Sequence, residues 1–203
     1  MVIGLMMKKR YVLASGSPRR KELLQKIVPE YEVIPAEGEE NSISKDPAEM
    51  VEELSFKKAS EIFHKIFTND TDRPVVIGAD TVVSYNRRVL GKPRDEDDAK
   101  AMLRIISGGT HTVLSGVTVF YADENGKEQH VTFHEETFVD VADMTEKEID
   151  SYIHTKEPMD KAGAYGIQGQ FAIFVSGIKG DYYNVVGLPV ARLYKEMKNL
   201  NLL

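Results

Sequence analysis

Residues 15–21 read Ser-Gly-Ser-Pro-Arg-Arg-Lys, which places three cations immediately behind a turn from a strand into a helix. Free backbone N–H groups and the positive end of the helix dipole at such a turn favour an anion. Arg19, Arg20 and Lys21 oppose that dipole at a cost of about a few tenths of a kcal/mol each, so a bound anion, phosphate before others, would give their placement a reason. The competing account is a solvated basic helix start with a serine cap. Lys58 is a second candidate, because Val51, Leu54 and Ile62 lie seven and four residues before it and four after it and define the inward stripe of a helix. A lysine on that stripe either snorkels from the edge of the core or reaches a phosphate.

Asp80 is a third candidate. It interrupts the apolar run of residues 74–84, which holds Val75, Val76, Ile77, Val82 and Val83. A buried carboxylate is expensive unless it is hydrogen-bonded, metal-bound or partly exposed at a strand end, and a turn aspartate bonded to backbone is the alternative. Lys92, in Leu90-Gly91-Lys92-Pro93, follows a hairpin-like return from that strand and can face the same cleft, or can be an ordinary loop lysine. Glu37, Glu39 and Glu40 form an acidic group that suits either solvent or a hard divalent cation such as Mg²⁺.

The elements that must position these residues alternate between strand and helix. Residues 11–14 read as a strand, Ser17 as the N-cap and Pro18 as the first residue of a helix with Leu23, Leu24 and Ile27 on its apolar face. Residues 31–34 suggest a second strand, and Asp46-Pro47-Ala48-Glu49 opens a helix reaching about Phe67. Residues 74–84 read as strand buried on both faces. Asp95 caps a helix carrying Ala99, Met102, Leu103 and Ile106, stopped by Gly108-Gly109. Residues 113–121 and 131–141 form a hairpin through Asn125-Gly126, and Thr145 to Glu148 fit a capping box. A glycine-rich stretch, 161–169, leads to a strand at 171–175 and a second pairing segment at 181–186. Pro189 then opens a helix turning Leu193, Tyr194 and Met197 inward. The sum is an α/β protein with a mixed sheet.

Composition narrows the classes of function. The chain has 203 residues, 42% apolar and 29% charged, enough for a sizeable core. No stretch approaches the roughly 18 consecutive apolar residues of a membrane helix, and residues 1–7 fit no secretory signal, although Met7 offers a second start. With no cysteine there is no disulfide framework, thiol catalysis or cysteine-ligated metal, which fits a cytoplasmic protein. The net charge of −6 and the lack of a basic stripe interleaved with aromatics argue against a nucleic-acid partner. The five histidines lack zinc spacing, and the sequence contains no GxSxG, P-loop or GxGxxG motif. Phosphate handling therefore needs another scaffold.

Several segments together resemble the Maf family of nucleotide pyrophosphatases. These are Ala14-Ser15-Gly16-Ser17-Pro18-Arg19-Arg20, Gly78-Ala79-Asp80-Thr81, Gly91-Lys92-Pro93, the run from Lys156-Glu157-Pro158 to Gly166-Ile167-Gln168-Gly169, Gly180-Asp181-Tyr182-Tyr183 and Val186-Gly187-Leu188-Pro189. The resemblance runs from about Arg10 to the C-terminal helix, which makes residues 1–9 an extension and 10–203 a single domain. It implies an α/β fold of the Maf and inosine triphosphatase kind, an elongated mixed sheet flanked by helices with a cleft between two lobes. It also implies a cytoplasmic enzyme that cleaves a nucleoside triphosphate between the α and β phosphates, releasing monophosphate and pyrophosphate with a divalent metal, Mg²⁺ or Mn²⁺.

In that family the aspartate matching Asp80 is the proton acceptor that activates water. Arg20, Lys58 and Lys92 match phosphate-holding residues, and Ser15 matches a phosphate-loop serine. Glu39 matches a metal-binding carboxylate, with Glu40 the alternative in the same acidic run. Arg19, Thr81 and Gln168 together look like the branch that prefers dTTP and UTP, including modified pyrimidine triphosphates. The amide of Gln168 can donate to and accept from a pyrimidine edge, which a carboxylate cannot. The resemblance allows a homodimer. A second reading is a nucleotide-binding regulator of cell division and septum formation in which hydrolysis is incidental.

Overall fold

The computed structural model describes residues 9–39, 41–68 and 73–203. The expected N-terminal extension, apart from Lys9, the alternative start at Met7 and the alternative carboxylate Glu40 lie outside the described residues. Seven strands form one mixed sheet: β1 (Arg10–Leu13), β2 (Glu32–Val33), β3 (Pro74–Tyr85), β4 (Arg88–Leu90), β5 (Thr110–Ala122), β6 (Glu128–Val141) and β7 (Val175–Lys179). Their order is β2-β1-β3-β5-β6-β7, with β4 paired to β3. β1 runs parallel to β2 and β3, and the remaining pairs are antiparallel.

Helices cover both faces. On one lies α2 (Pro47–Ile66), started by Asp46, whose carboxylate accepts from the amides of Ala48 and Glu49. It buries Val51, Leu54, Ala59, Ile62 and Phe63 against β3 and β5. The other face carries α1 (Pro18–Gln25), α3 (Glu96–Ile106), α4 (Glu146–His154), α5 (Tyr182–Val186) and α6 (Val190–Asn199). There Leu23, Leu103, Ile149 and Leu193 join Ile77, Ala79 and Val117 in the larger core. The capping box at Thr145 and Glu148 forms as expected.

Four expectations are corrected. Ser17 occupies the N-cap of α1, but its side chain makes no capping bond; Ser15 Oγ instead accepts from the Ser17 amide at 3.3 Å. Residues 171–175 are not a strand, because Gln170–Phe174 form a 3₁₀ turn and β7 begins only at Val175. Fully buried Phe171 packs its ring against Tyr152, Tyr165 and Phe174, a packing that a short apolar run cannot declare in advance. Residues 181–186 become helix α5 rather than a pairing segment. Asp181 accepts from the Tyr183 amide at its start, and Gly187 closes it at φ +127°. Tyr194 is 48% exposed, since the core-facing stripe of α6 runs through Val190, Leu193 and Met197.

Two glycines set the depth at which α2 sits. A Cβ on Gly78 would lie 2.5 Å from the Ser55 carbonyl oxygen, and one on Gly116 would lie 2.1 Å from that of Val51. Helix backbone therefore rests directly on β3 and β5, and a side chain at either position would lift it. Gly116→Ala is expected to cost about 3 kcal/mol in urea unfolding, because the obstacle is backbone rather than a mobile side chain. Gly91→Ala, where no atom lies within 4 Å, should change stability by less than about 0.5 kcal/mol.

Candidate active site

β1 accompanies β3 only as far as Ile77, whose carbonyl accepts a last bond from the Ala14 amide at 2.8 Å. β4 joins the same side of β3 again at Val83. Residues 78–82 thus keep β5 on one side and have no strand on the other among the described residues. A cavity of about 960 Å³ opens at that gap. Ser15, Arg19, Arg20, Lys58, Asp80, Thr81, Lys92 and Gln168 all line it; Glu39 does not.

Asp80 sits within β3 opposite Gly116, not in a turn. Its Oδ1 accepts from Lys58 Nζ at 2.6 Å, and each side chain is 14% exposed. Lys58 is therefore no snorkelling residue. The pair offsets the burial cost of both charges, which either one alone would bear in full. The seat of α2 on the two glycines brings the lysine within reach.

The loop after β1 and the first turn of α1 form the opposite wall. Arg20 Nε donates to the Gly187 carbonyl at 2.9 Å, Nη1 to Ser15 Oγ at 3.3 Å and Nη2 to Thr81 Oγ1 at 3.0 Å. The guanidinium is thereby held between the loop after β1, β3 and the end of α5. Lys92 follows β4 on an exposed loop, and the adjacent Gly91 carbonyl accepts from the Gly163 amide at 3.0 Å, which ties that loop to the glycine-rich segment. Five basic side chains and three acidic ones line the cavity, although the whole chain is acidic. That local excess of positive charge suits a polyanion.

Gln168 stands exposed at the tip of the glycine-rich segment, which is pinned from below by Glu157. Glu157 Oε1 accepts from the Tyr152 hydroxyl and Oε2 from the Gln170 amide, both at 2.9 Å, while the Tyr152 oxygen accepts from the Gly166 amide at 3.2 Å. A Cβ on Gly169 would fall 2.1 Å from that carboxylate, so a side chain there would displace the Glu157 carboxylate from its bonds. Burial and the neighbouring Glu157 push the Tyr152 hydroxyl pKa upward. Sequence reasoning missed Glu157 and Tyr152 as organisers of this segment, because the chain reverses between them at Lys156, whose left-handed φ of +62° no local pattern declares.

It also missed His111 and Tyr165. Tyr165 lines the cavity, and its hydroxyl meets His111 Nε2 at 2.7 Å on β5. His111 is 2% exposed and its Nδ1 has no partner among the described residues. Burial lowers its pKa to about 4 against the opposing charge of Asp140, and burial also raises that of Tyr165.

The donor set can be tested for a divalent metal. No three His, Asp or Glu side chains converge among the described residues. A small hard cation needs no such cage when a polyphosphate supplies oxygens, since Mg²⁺ is commonly held by one or two carboxylates, phosphate and water. Asp80 is a carboxylate of the cavity that meets this requirement. Glu39 is exposed and accepts from Asn41 Nδ2 at 2.9 Å; nearby Ala36 lines the cavity.

The model of the Maf-like protein family matches residues 10–200, and the chain belongs to that family. A protein of Agathobacter rectalis named dTTP/UTP pyrophosphatase is 51% identical over 197 residues, covering 93% of this chain and 96% of that protein. One of Bacillus cytotoxicus with the same name is 50% identical over 194 residues, covering 95% and 96%. The Ham1 protein of Staphylococcus aureus is a solved structure 13% identical with a TM-score of 0.47, covering 95% of this chain and all of that one.

The buried histidine gives the fold a specific pH dependence. Folding lowers the pKa of His111 from 6.5 to about 4, so the unfolded chain binds the proton more readily. The stability tied to its neutral form is complete above about pH 6.5 and is lost as the pH falls to about 4, amounting to about 3 kcal/mol. Urea unfolding at pH 7 and pH 4 should show wild type losing that much more than His111→Gln, which cannot titrate.

Proposed function

We propose that this protein is a nucleoside triphosphate pyrophosphatase acting on dTTP and UTP, and on modified pyrimidine triphosphates of the same shape. Water adds to phosphorus, the bond between the bridging oxygen and that phosphorus breaks, and nucleoside monophosphate and pyrophosphate leave. The observation that carries the reading is the convergence of Arg19, Arg20, Lys58 and Lys92 on one cavity around a single strand carboxylate, Asp80. Membership of the Maf-like family and relatives named for this activity support it.

In this reading Asp80 accepts the proton of the attacking water, and Lys58 orients its carboxylate through the 2.6 Å contact. Arg20, Lys92 and Ser15 hold the phosphates. Fixed cations aimed at the developing negative charge cost no reorganisation at the moment of reaction. A divalent metal, Mg²⁺ or Mn²⁺, would be held by Asp80 together with substrate oxygens and would neutralise phosphate charge. Glu39 is kept as a second metal carboxylate because its loop borders the cavity through Ala36. Arg19, Thr81 and Gln168 set the base preference, with Gln168 reading the pyrimidine edge from its pinned turn. The reaction would take place in the cytoplasm.

Release of pyrophosphate and monophosphate from UTP, dTTP, CTP, GTP, ATP and 7-methyl-GTP, each with and without metal, tests the assignment. Metal-dependent turnover of UTP and dTTP is expected; tight binding without turnover of any nucleotide would instead make the protein a nucleotide-sensing regulator. Asp80→Asn should lower kcat by about 10²-fold or more while leaving the affinity for a non-hydrolysable UTP analogue, measured without metal, within a few-fold. Normal turnover by that variant would remove Asp80 from its role. Gln168→Glu should lower the kcat/KM of UTP relative to the other nucleotides, and an unchanged ranking would count against Gln168 as the base reader.

A further inference from the structure

Behind the cavity a closed ring of hydrogen bonds connects Arg20 to residues that do not themselves line it. Thr81 and Ser115 face each other across β3 and β5, with Thr81 Oγ1 and Ser115 Oγ 2.8 Å apart. Ser115 Oγ donates to the Asn184 carbonyl of α5 at 2.9 Å. The same carbonyl accepts from the Gly187 amide at 3.0 Å, and the Gly187 carbonyl accepts from Arg20 Nε. Ser115 and Asn184 are fully buried.

Proton counting fixes the direction of every bond in this ring. A hydroxyl has one hydrogen to donate and two lone pairs to accept with. Ser115 spends its hydrogen on the Asn184 carbonyl, which can only accept, so the bond between the hydroxyls must run from Thr81 to Ser115. The hydrogen of Thr81 is then committed, and its oxygen can only accept from Arg20 Nη2. Thr81 therefore has no hydrogen for a ligand and can only accept, from the guanidinium and from a donor on the base. Asn184 anchors the far side: its Nδ2 donates to the Val113 carbonyl and to Thr137 Oγ1, both at 3.0 Å.

We propose that Ser115 is a positioning residue for the triphosphate site, holding Thr81 as a fixed acceptor that aims the guanidinium of Arg20. The inference rests on the reading above that Arg20 binds phosphate. Removing the hydroxyl of Ser115 leaves the Thr81 hydrogen without its acceptor, free to rotate towards the cavity and away from the orientation that serves Arg20.

Calorimetry with inorganic tripolyphosphate, inhibition by uridine and UTP kinetics test this on the full chain. Ser115→Ala is expected to weaken tripolyphosphate about tenfold and to raise the KM of UTP more than it lowers kcat, leaving uridine unchanged. In an Arg20→Lys background the same substitution should add less than about twofold, since residues acting through one another are not additive. Thr81→Val should weaken tripolyphosphate like Ser115→Ala, and Thr81→Ser, which keeps the hydroxyl, should weaken it less; this pair reads the ring even if Ser115→Ala folds poorly. Equal weakening of tripolyphosphate and uridine, or full additivity with a damaging Arg20→Lys, would overturn the positioning role alone. Unchanged tripolyphosphate affinity in Arg20→Lys would overturn the phosphate role of Arg20 and this inference with it.

Discussion

The contact on which the site depends is backbone against backbone, where α2 rests on β3 and β5 over Gly78 and Gly116. At that depth Lys58 reaches a carboxylate in the middle of a buried strand, and the carboxylate in turn gives the lysine a reason to point inward. A methyl group at either glycine would separate the helix from the sheet. The arrangement couples stability to chemistry: core packing of Val51, Ala59 and Ile62 and the placement of the ion pair follow from one helix position.

The second constraint is the gap along β3. β1 leaves after Ile77 and β4 arrives at Val83, so the intervening strand has an edge that opens onto a cavity instead of onto another ladder. The turning away of β1 creates the loop and helix start that face the gap, so the cations of α1 and the residues of β3 meet without a separate binding module. Asp80 and Thr81, adjacent in sequence, point to opposite faces of the sheet. The first meets Lys58 on α2 and the second meets Arg20 and Ser115. The site is thus held from both layers of the fold at once.

Much of this was legible residue by residue. Helix starts at Asp46, Asp95 and Thr145 follow from side chains that satisfy nearby amides, and the long hairpin of β5 and β6 follows from two strand-forming runs and the Asn-Gly turn between them. Eight of the nine residues given a role line one cavity: Lys58 and Asp80 are conspicuous because they interrupt apolar patterns and Arg19 and Arg20 because they oppose a helix dipole, whereas Thr81 and Gln168 stand out only through the family resemblance. The segments 171–175 and 181–186 were misread because their apolar and aromatic residues suit a strand and a short turn equally well. Buried Phe171 and the capping Asp181 decided between them.

By itself, the sequence determined which local elements form and which charges are out of place, since propensity, capping and periodicity act over a few residues. Tertiary structure alone decided that Lys58 pairs with Asp80, that Glu157 pins the turn of Gln168, and that Ser115 closes a ring with Arg20 95 positions away. Those contacts are short-ranged in space and long-ranged along the chain. They exist only once the sheet register and the depth of α2 have brought their strands and helices to a few ångströms of one another.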